Sequence, residues 1–136
     1  MDLSKLKEEL IRDEGLKLKP YKCSAGKTTI GVGRNLDDVG ISEVEADMLL
    51  INDINDAIHS LDMAFPIWKT LSDARQRALV NMMFNLGMSK FMKFRNMLSA
   101  IRAGDFKLAA EEALASAWED QVGNRAIRIA TMLENG

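Results

Sequence analysis
Leu3, Leu6 and Leu10 recur at intervals of three and four residues, the period of a helix with one apolar face, and predict a helix over residues 2–14. Asp2 can cap its first amides and Gly15 can end it. Glu14 takes the next step of the same row, which puts a carboxylate on the face expected to pack inward. The period then changes. Thr28, Thr29, Ile30 and Val32 favour strands, while Gly26, Gly31 and Gly33 turn the chain. Residues 21–23 are expected to pair with residues 27–32 across Ser24-Ala25-Gly26, followed by a loop over residues 35–40. Ser42 and Glu45 make a reciprocal helix start, with Ile41 able to staple onto Ala46. That helix continues through Leu49, Leu50, Ile54, Ile58 and Leu61, roughly 30 Å at about 1.5 Å per residue, long enough to join two lobes. After Pro66, Ser72-Asp73 opens a second helix through Ala78, Leu79, Met82, Met83 and Leu86 to Gly87, the strongest apolar stretch and the expected core. Further helices are predicted from residue 89 or 93 to 103, from Asp105 to about residue 117, and over residues 124–133.

These elements define an α+β fold within one domain of 136 residues. A small antiparallel β lobe (residues 15–41) connects through a long helix (residues 42–61) to a mostly helical lobe, which comprises residues 66–136 and the N-terminal helix. Composition narrows the chemistry. The longest uninterrupted apolar run, Met48 to Ile51, is far too short to span a bilayer, and the start lacks the apolar core of a signal peptide. A chain made and kept in the cytoplasm is expected. A single cysteine, Cys23, excludes an internal disulfide and a thiolate-rich zinc site, so no metal or cofactor is expected. The one histidine, His59, lies within a helical stretch and suits a solvated position better than a catalytic triad. Nine methionines spread through the helices read as core filler. Net charge is −2, with residues 42–74 carrying seven acids and one base, which leaves no broad basic footprint for nucleic acid.

Glu14 is the most informative residue. Partial burial, the negative end of its helix and the neighbouring Asp13 all disfavour the ionised carboxylate, and a proton retained near neutral pH is what a general acid needs. A carboxylate satisfied by an arginine or by backbone amides explains the residue equally well when it is taken alone.

Its surroundings decide between these. Residues 13–34, with Glu14-Gly15, Cys23, and Thr29-Ile30-Gly31-Val32-Gly33-Arg34, resemble the phage lysozyme (endolysin) family of muramidases. That family places a glutamate at a helix end, an aspartate or cysteine nine residues on, a threonine six beyond, and then Ile-Gly-x-Gly. The likeness extends through Asn35-Leu36 and Gly40-Ile41-Ser42 to Asn81-Met82-Met83-Phe84-Asn85-Leu86-Gly87. It continues in Ala117-Trp118, Gln121 and Asn124-Arg125-Ala126. It implies a lysozyme-like fold and hydrolysis of the β-1,4 bond between N-acetylmuramic acid and N-acetylglucosamine in peptidoglycan.

Under that resemblance Glu14 is the general acid, and Cys23 and Thr29 position or activate a water on the far face of the sugar, an inverting arrangement. Cys23 could instead be a covalent nucleophile or a bystander behind Thr29. Lys22 and Lys27 flank it and could lower the thiol's pKa. Arg125 corresponds to an arginine that pairs with the catalytic glutamate. Asn85 and Gln121 correspond to amides lining the cleft, and with Arg125 they are the expected substrate contacts. Arg34 and Asp53 stand where relatives pair histidine with aspartate, so an Arg34–Asp53 ion pair is expected to tie the β lobe to the long helix. Basic surface at the cleft would come from Lys17, Lys19, Lys22, Lys27 and the C-terminal arginines. The expected partner is bacterial peptidoglycan, for a monomer that uses neither nucleic acid nor membrane insertion. From the host cytoplasm it would reach the wall through a lesion made by a separate protein. A degenerate lysozyme fold that binds glycan or protein without turnover is the competing reading, motivated by Cys23.

Overall fold
The computed structural model describes residues 1–115 and 118–136. These fall into two compact units, Met1–Met48 and Leu49–Gly136, each treated separately below.

In the first unit, helix α1 (Leu3–Glu14) begins where Asp2 accepts from the Lys5 amide at 3.0 Å and ends at Gly15, in the left-handed region at φ 79°. Both ends match the sequence pattern. The face does not, because α1 buries no side chain, and Leu3 and Leu10 are 56% and 45% exposed. Periodicity identifies which residues share a face and is silent on what covers it. The N-terminal helix groups with the sheet in this unit.

Strands β1 (Lys17–Lys22), β2 (Thr28–Gly31) and β3 (Arg34–Asn35) form one antiparallel sheet in the order β1-β2-β3. Tyr21 pairs with Thr29 and Lys22 with Thr28, while Thr29 faces Asn35 and Ile30 faces Arg34. The first strand starts earlier than expected. The third occupies residues read partly as loop, since two residues are too few to display a period. Central placement in β2 buries Thr29 to 3% exposure, the one buried residue of this unit.

Helix α2 (Glu43–Ala64) opens in the first unit on the expected reciprocal cap. The Glu45 amide donates to Ser42 Oγ at 3.1 Å and the Ser42 amide to Glu45 Oε1 at 2.9 Å. From Leu49 onward the helix belongs to the second unit, where a 3-10 turn (Pro66–Thr70) follows it. Trp68 of that turn is buried and donates its indole N–H to Asp62 at 2.9 Å. Helix α3 (Asp73–Phe91) supplies buried Ala78, Leu79, Met82 and Met83, the expected core. Its backbone breaks at Gly87 (φ 75°, ψ 167°), so the predicted stop is real although helical residues resume after it.

Helices α4 (Arg95–Arg102), α5 (Phe106–Leu114), α6 (Trp118–Val122) and α7 (Asn124–Asn135) complete the unit. Asp105 caps α5 through the Leu108 amide at 3.1 Å, as its place before an apolar run predicts. Ala117, part of the closing motif, lies outside the described residues. Leu61, Phe65, Leu79, Met82, Phe91, Met97, Ile129 and Leu133 fill the core. Arg75 of α3 donates through Nε to the Leu133 carbonyl at 2.7 Å and through Nη2 to that of Glu134 at 3.0 Å, and its guanidinium carbon lies 3.5 Å from the Phe106 ring centre. Among the described residues no helix is long and apolar enough to cross a membrane.

Candidate active site
Within the first unit, Glu14 sits at the last position of α1, and its carboxyl lies against Gly33, in the turn between β2 and β3. The turn holds Gly33 at φ 73°, a left-handed backbone that glycine adopts freely. The burial expected of Glu14 is not found, because the helix face carrying it is open to solvent. What fixes the carboxyl's place is the glycine turn.

Cys23 lies just past β1 and not on a strand facing Thr29, whose register partner is Tyr21; the Thr29 side chain nonetheless reaches the thiol. Cys23 follows β1, where its amide donates to the Lys27 carbonyl at 3.0 Å and its carbonyl accepts from Gly26 at 2.9 Å, closing the turn. The Lys27 amide, then the Ala25 amide, hold the Cys23 thiol below its ordinary range, opposed in part by burial; the Thr29 hydroxyl also acts in the lowering direction. That hydroxyl has one proton and gives it to the Lys27 carbonyl at 2.9 Å, so the two amides dominate. The flanking lysines are not the cause. Lys22 donates to Thr28 Oγ1 at 2.7 Å and Lys27 to Asp38 at 3.2 Å. Asp37 accepts the Thr28 amide at 2.8 Å, which pins the loop after β3 onto β2.

Arg34 takes a carboxylate within its own unit. Its Nη1 donates to Glu45 Oε1 at 2.8 Å and to the Gly40 carbonyl at 3.1 Å, so its partner in this unit is the capping glutamate of α2. One carboxylate oxygen accepts from both the cap amide and the guanidinium, and sequence spacing had already assigned Glu45 to the cap. The guanidinium first, then the Ser42 amide and hydroxyl, lower the Glu45 pKa to about 2.

In the second unit, Asp53 lines a hollow of about 310 Å³ with Asp56 and Ser60, floored by Met83 and Phe84. Asn85 is exposed and its Oδ1 accepts the Trp118 indole N–H at 2.9 Å; Trp118 also meets Phe94 edge-on at 5.9 Å between ring centres. The Asn85 oxygen is thus engaged. Gln121 is exposed on α6. Within this unit Arg125 donates to Asn81, through Nε to Oδ1 at 2.9 Å and through Nη2 to the backbone carbonyl at 3.3 Å. Packing of α7 on α3 brings that amide within reach of a two-pronged donor. Asn81 and Arg125 border a cavity of about 490 Å³ lined by Leu50, Ile54, Trp68 and Phe84. The role of Asn81 as holder of Arg125 was missed. Its i−4 spacing from the noted Asn85 placed it on one face of α3, but nothing local linked it to residue 125.

A carboxyl at a helix end over a small antiparallel sheet, with a helical remainder, defines an α+β, lysozyme-like protein. The phage lysozyme family model matches residues 12–131, and the chain belongs to that family. It is 31% identical to Probable T4-type lysozyme 2 of Dictyostelium discoideum, over 98% of this chain and 96% of that one. It is 32% identical to an endolysin of Acyrthosiphon pisum secondary endosymbiont phage 1, over 74% and 69% of the two chains. The pre-baseplate central spike protein of Enterobacteria phage T4 is 32% identical over 95% of this chain, which corresponds to 27% of that longer protein.

Proposed function
We propose that the chain is a lysozyme that hydrolyses the β-1,4 bond between N-acetylmuramic acid and N-acetylglucosamine in bacterial peptidoglycan. Glu14 gives its proton to the glycosidic oxygen as the bond from the anomeric carbon breaks. Water adds to the anomeric carbon from the opposite face and passes its proton to the Cys23 thiolate, with Thr29 Oγ accepting a hydrogen bond from that water. A sugar lying over Gly33 would cover the Glu14 carboxyl and remove the water that solvates it in the free protein. Asn85, Gln121 and Arg125 contact the glycan. The observation that carries the reading is the Glu14 carboxyl on the glycine turn of the sheet that holds Thr29, with Cys23 at the end of its first strand, in a chain matched across most of its length by the phage lysozyme family. An endolysin working this way acts on the wall after a separate protein opens the membrane.

Release of reducing ends from purified peptidoglycan tests it. Glu14→Gln should lower turnover by about 10²–10⁴-fold, the usual worth of a general acid, while Cys23→Asp keeps activity. Wild type and both variants equally inactive, yet able to sediment with peptidoglycan, would instead establish a glycan-binding module, the reading that a thiol at position 23 favours.

A further inference from the structure
We infer that Gly33 is a positioning residue for Glu14, because the space its missing Cβ leaves is where the Glu14 carboxyl rests. A Cβ built on Gly33 would lie 3.1 Å from Glu14 Oε2, 3.6 Å from Cδ and 3.8 Å from Cβ. The first is tighter than carbon and oxygen settle at, so any side chain at 33 moves the carboxyl by a few tenths of an ångström or more. Reacting groups must be held to within about 0.5 Å of productive geometry, so such a shift consumes most of the tolerance.

Gly31, two residues earlier, separates this from a plain backbone requirement. Its φ of 69° matches the 73° of Gly33, yet a Cβ there meets nothing within 4 Å. Both glycines serve the left-handed backbone, and Gly33 alone of the two also clears room for an ionisable group. Gly15 and Gly26, likewise left-handed, open onto empty space. The sequence could not separate them, since glycines of a turn look alike until the carboxyl of another element is placed against one.

The inference rests on Glu14 being the acid, and the test separates the two claims. Gly33→Ala and Gly31→Ala add the same methyl at the same kind of backbone. With [5-¹³C]glutamate labelling, the Glu14 carboxyl resonance, assigned by its loss in Glu14→Gln, should shift in Gly33→Ala and stay in place in Gly31→Ala. At saturating peptidoglycan, Gly33→Ala should lose at least about tenfold more turnover than Gly31→Ala, with half-saturation unchanged, as a misplaced catalytic group predicts. If either alanine variant fails to fold, Gly33→Asn and Gly31→Asn repeat the comparison with a residue that accepts the left-handed region. Equal losses from the two positions, or a displaced resonance without loss of turnover, overturn the inference. A wild type that releases no reducing ends refutes the lysozyme reading, and the carboxyl resonance still decides whether Gly33 holds Glu14 in place.

Discussion
Cys23 shows how a neutral backbone can favour a thiolate. Its sulfur is favoured as thiolate by the amides of Lys27 and Ala25, while the lysines beside it in sequence are engaged elsewhere. A base works in its deprotonated form, so activity should rise with pH through a value below the ordinary thiol 9.0. In Cys23→Asp the rise should move to acid pH, which a pH profile of reducing-end release would record. Complete alkylation by iodoacetamide, verified by mass spectrometry, should abolish turnover, and full activity after such labelling would remove Cys23 from the mechanism. The spacing of position 23 to Glu14 and Thr29 drew notice through the family resemblance, whereas the electrostatics of the thiol were not legible. Nearby charge is visible in a sequence, but the aim of a backbone N–H depends on the turn that Gly26 closes. Glu14 was misread for a related reason: a helical row specifies direction, and solvent covers this one.

The start of α2 carries two duties through a single side chain. Glu45 accepts the Ser42 amide that begins the helix and the Arg34 guanidinium that fastens β3 to it. Its pKa is about 2 in the folded protein against 4.5 ordinarily, so the folded state binds its proton more weakly than the unfolded chain does. The resulting stability is fully present above about pH 4.5 and is lost as the pH falls towards 2. Thermal unfolding of the first unit, followed by NMR of Thr29 and Tyr21, should therefore show a fall in midpoint across that window. In Glu45→Gln the fall should be much reduced, and an unchanged slope would show that the pair contributes nothing. The Ser42–Glu45 cap was readable because both partners lie within one helical turn. The Arg34 partner was not, since eleven positions and the loop after β3 separate it from Glu45. Strand β3 escaped notice because a pair of residues carries no alternation, and its existence depends on β2 lying alongside.

The two units are stabilised by different means. Residues 49–136 contain the whole apolar core, from Ala57 to Leu133, whereas residues 1–48 bury only Thr29 and rely on ladder hydrogen bonds, caps and the Arg34–Glu45 pair. Apolar burial is the larger contribution to stability, so the first unit should open more readily. Hydrogen exchange read by mass spectrometry should find amides of β2 less protected than those of residues 78–83 in α3, and equal protection would contradict this. Activity should then vanish at a denaturant concentration that leaves most helical signal intact, since Glu14, Cys23 and Thr29 all lie in the weaker unit. The helical unit was the more legible because its core follows from the 3.6-residue rhythm of Leu79, Met82 and Met83. What ties its distant parts together was hidden in one arginine. The fork of Arg75 spans 58 positions to reach Leu133, while its flat face rests on Phe106. Cation, ring and two carbonyls thereby register the tail of the polypeptide to its middle like a dovetail joint, and a lysine's compact ammonium, with neither a planar fork nor a flat face, has no shape to fit there.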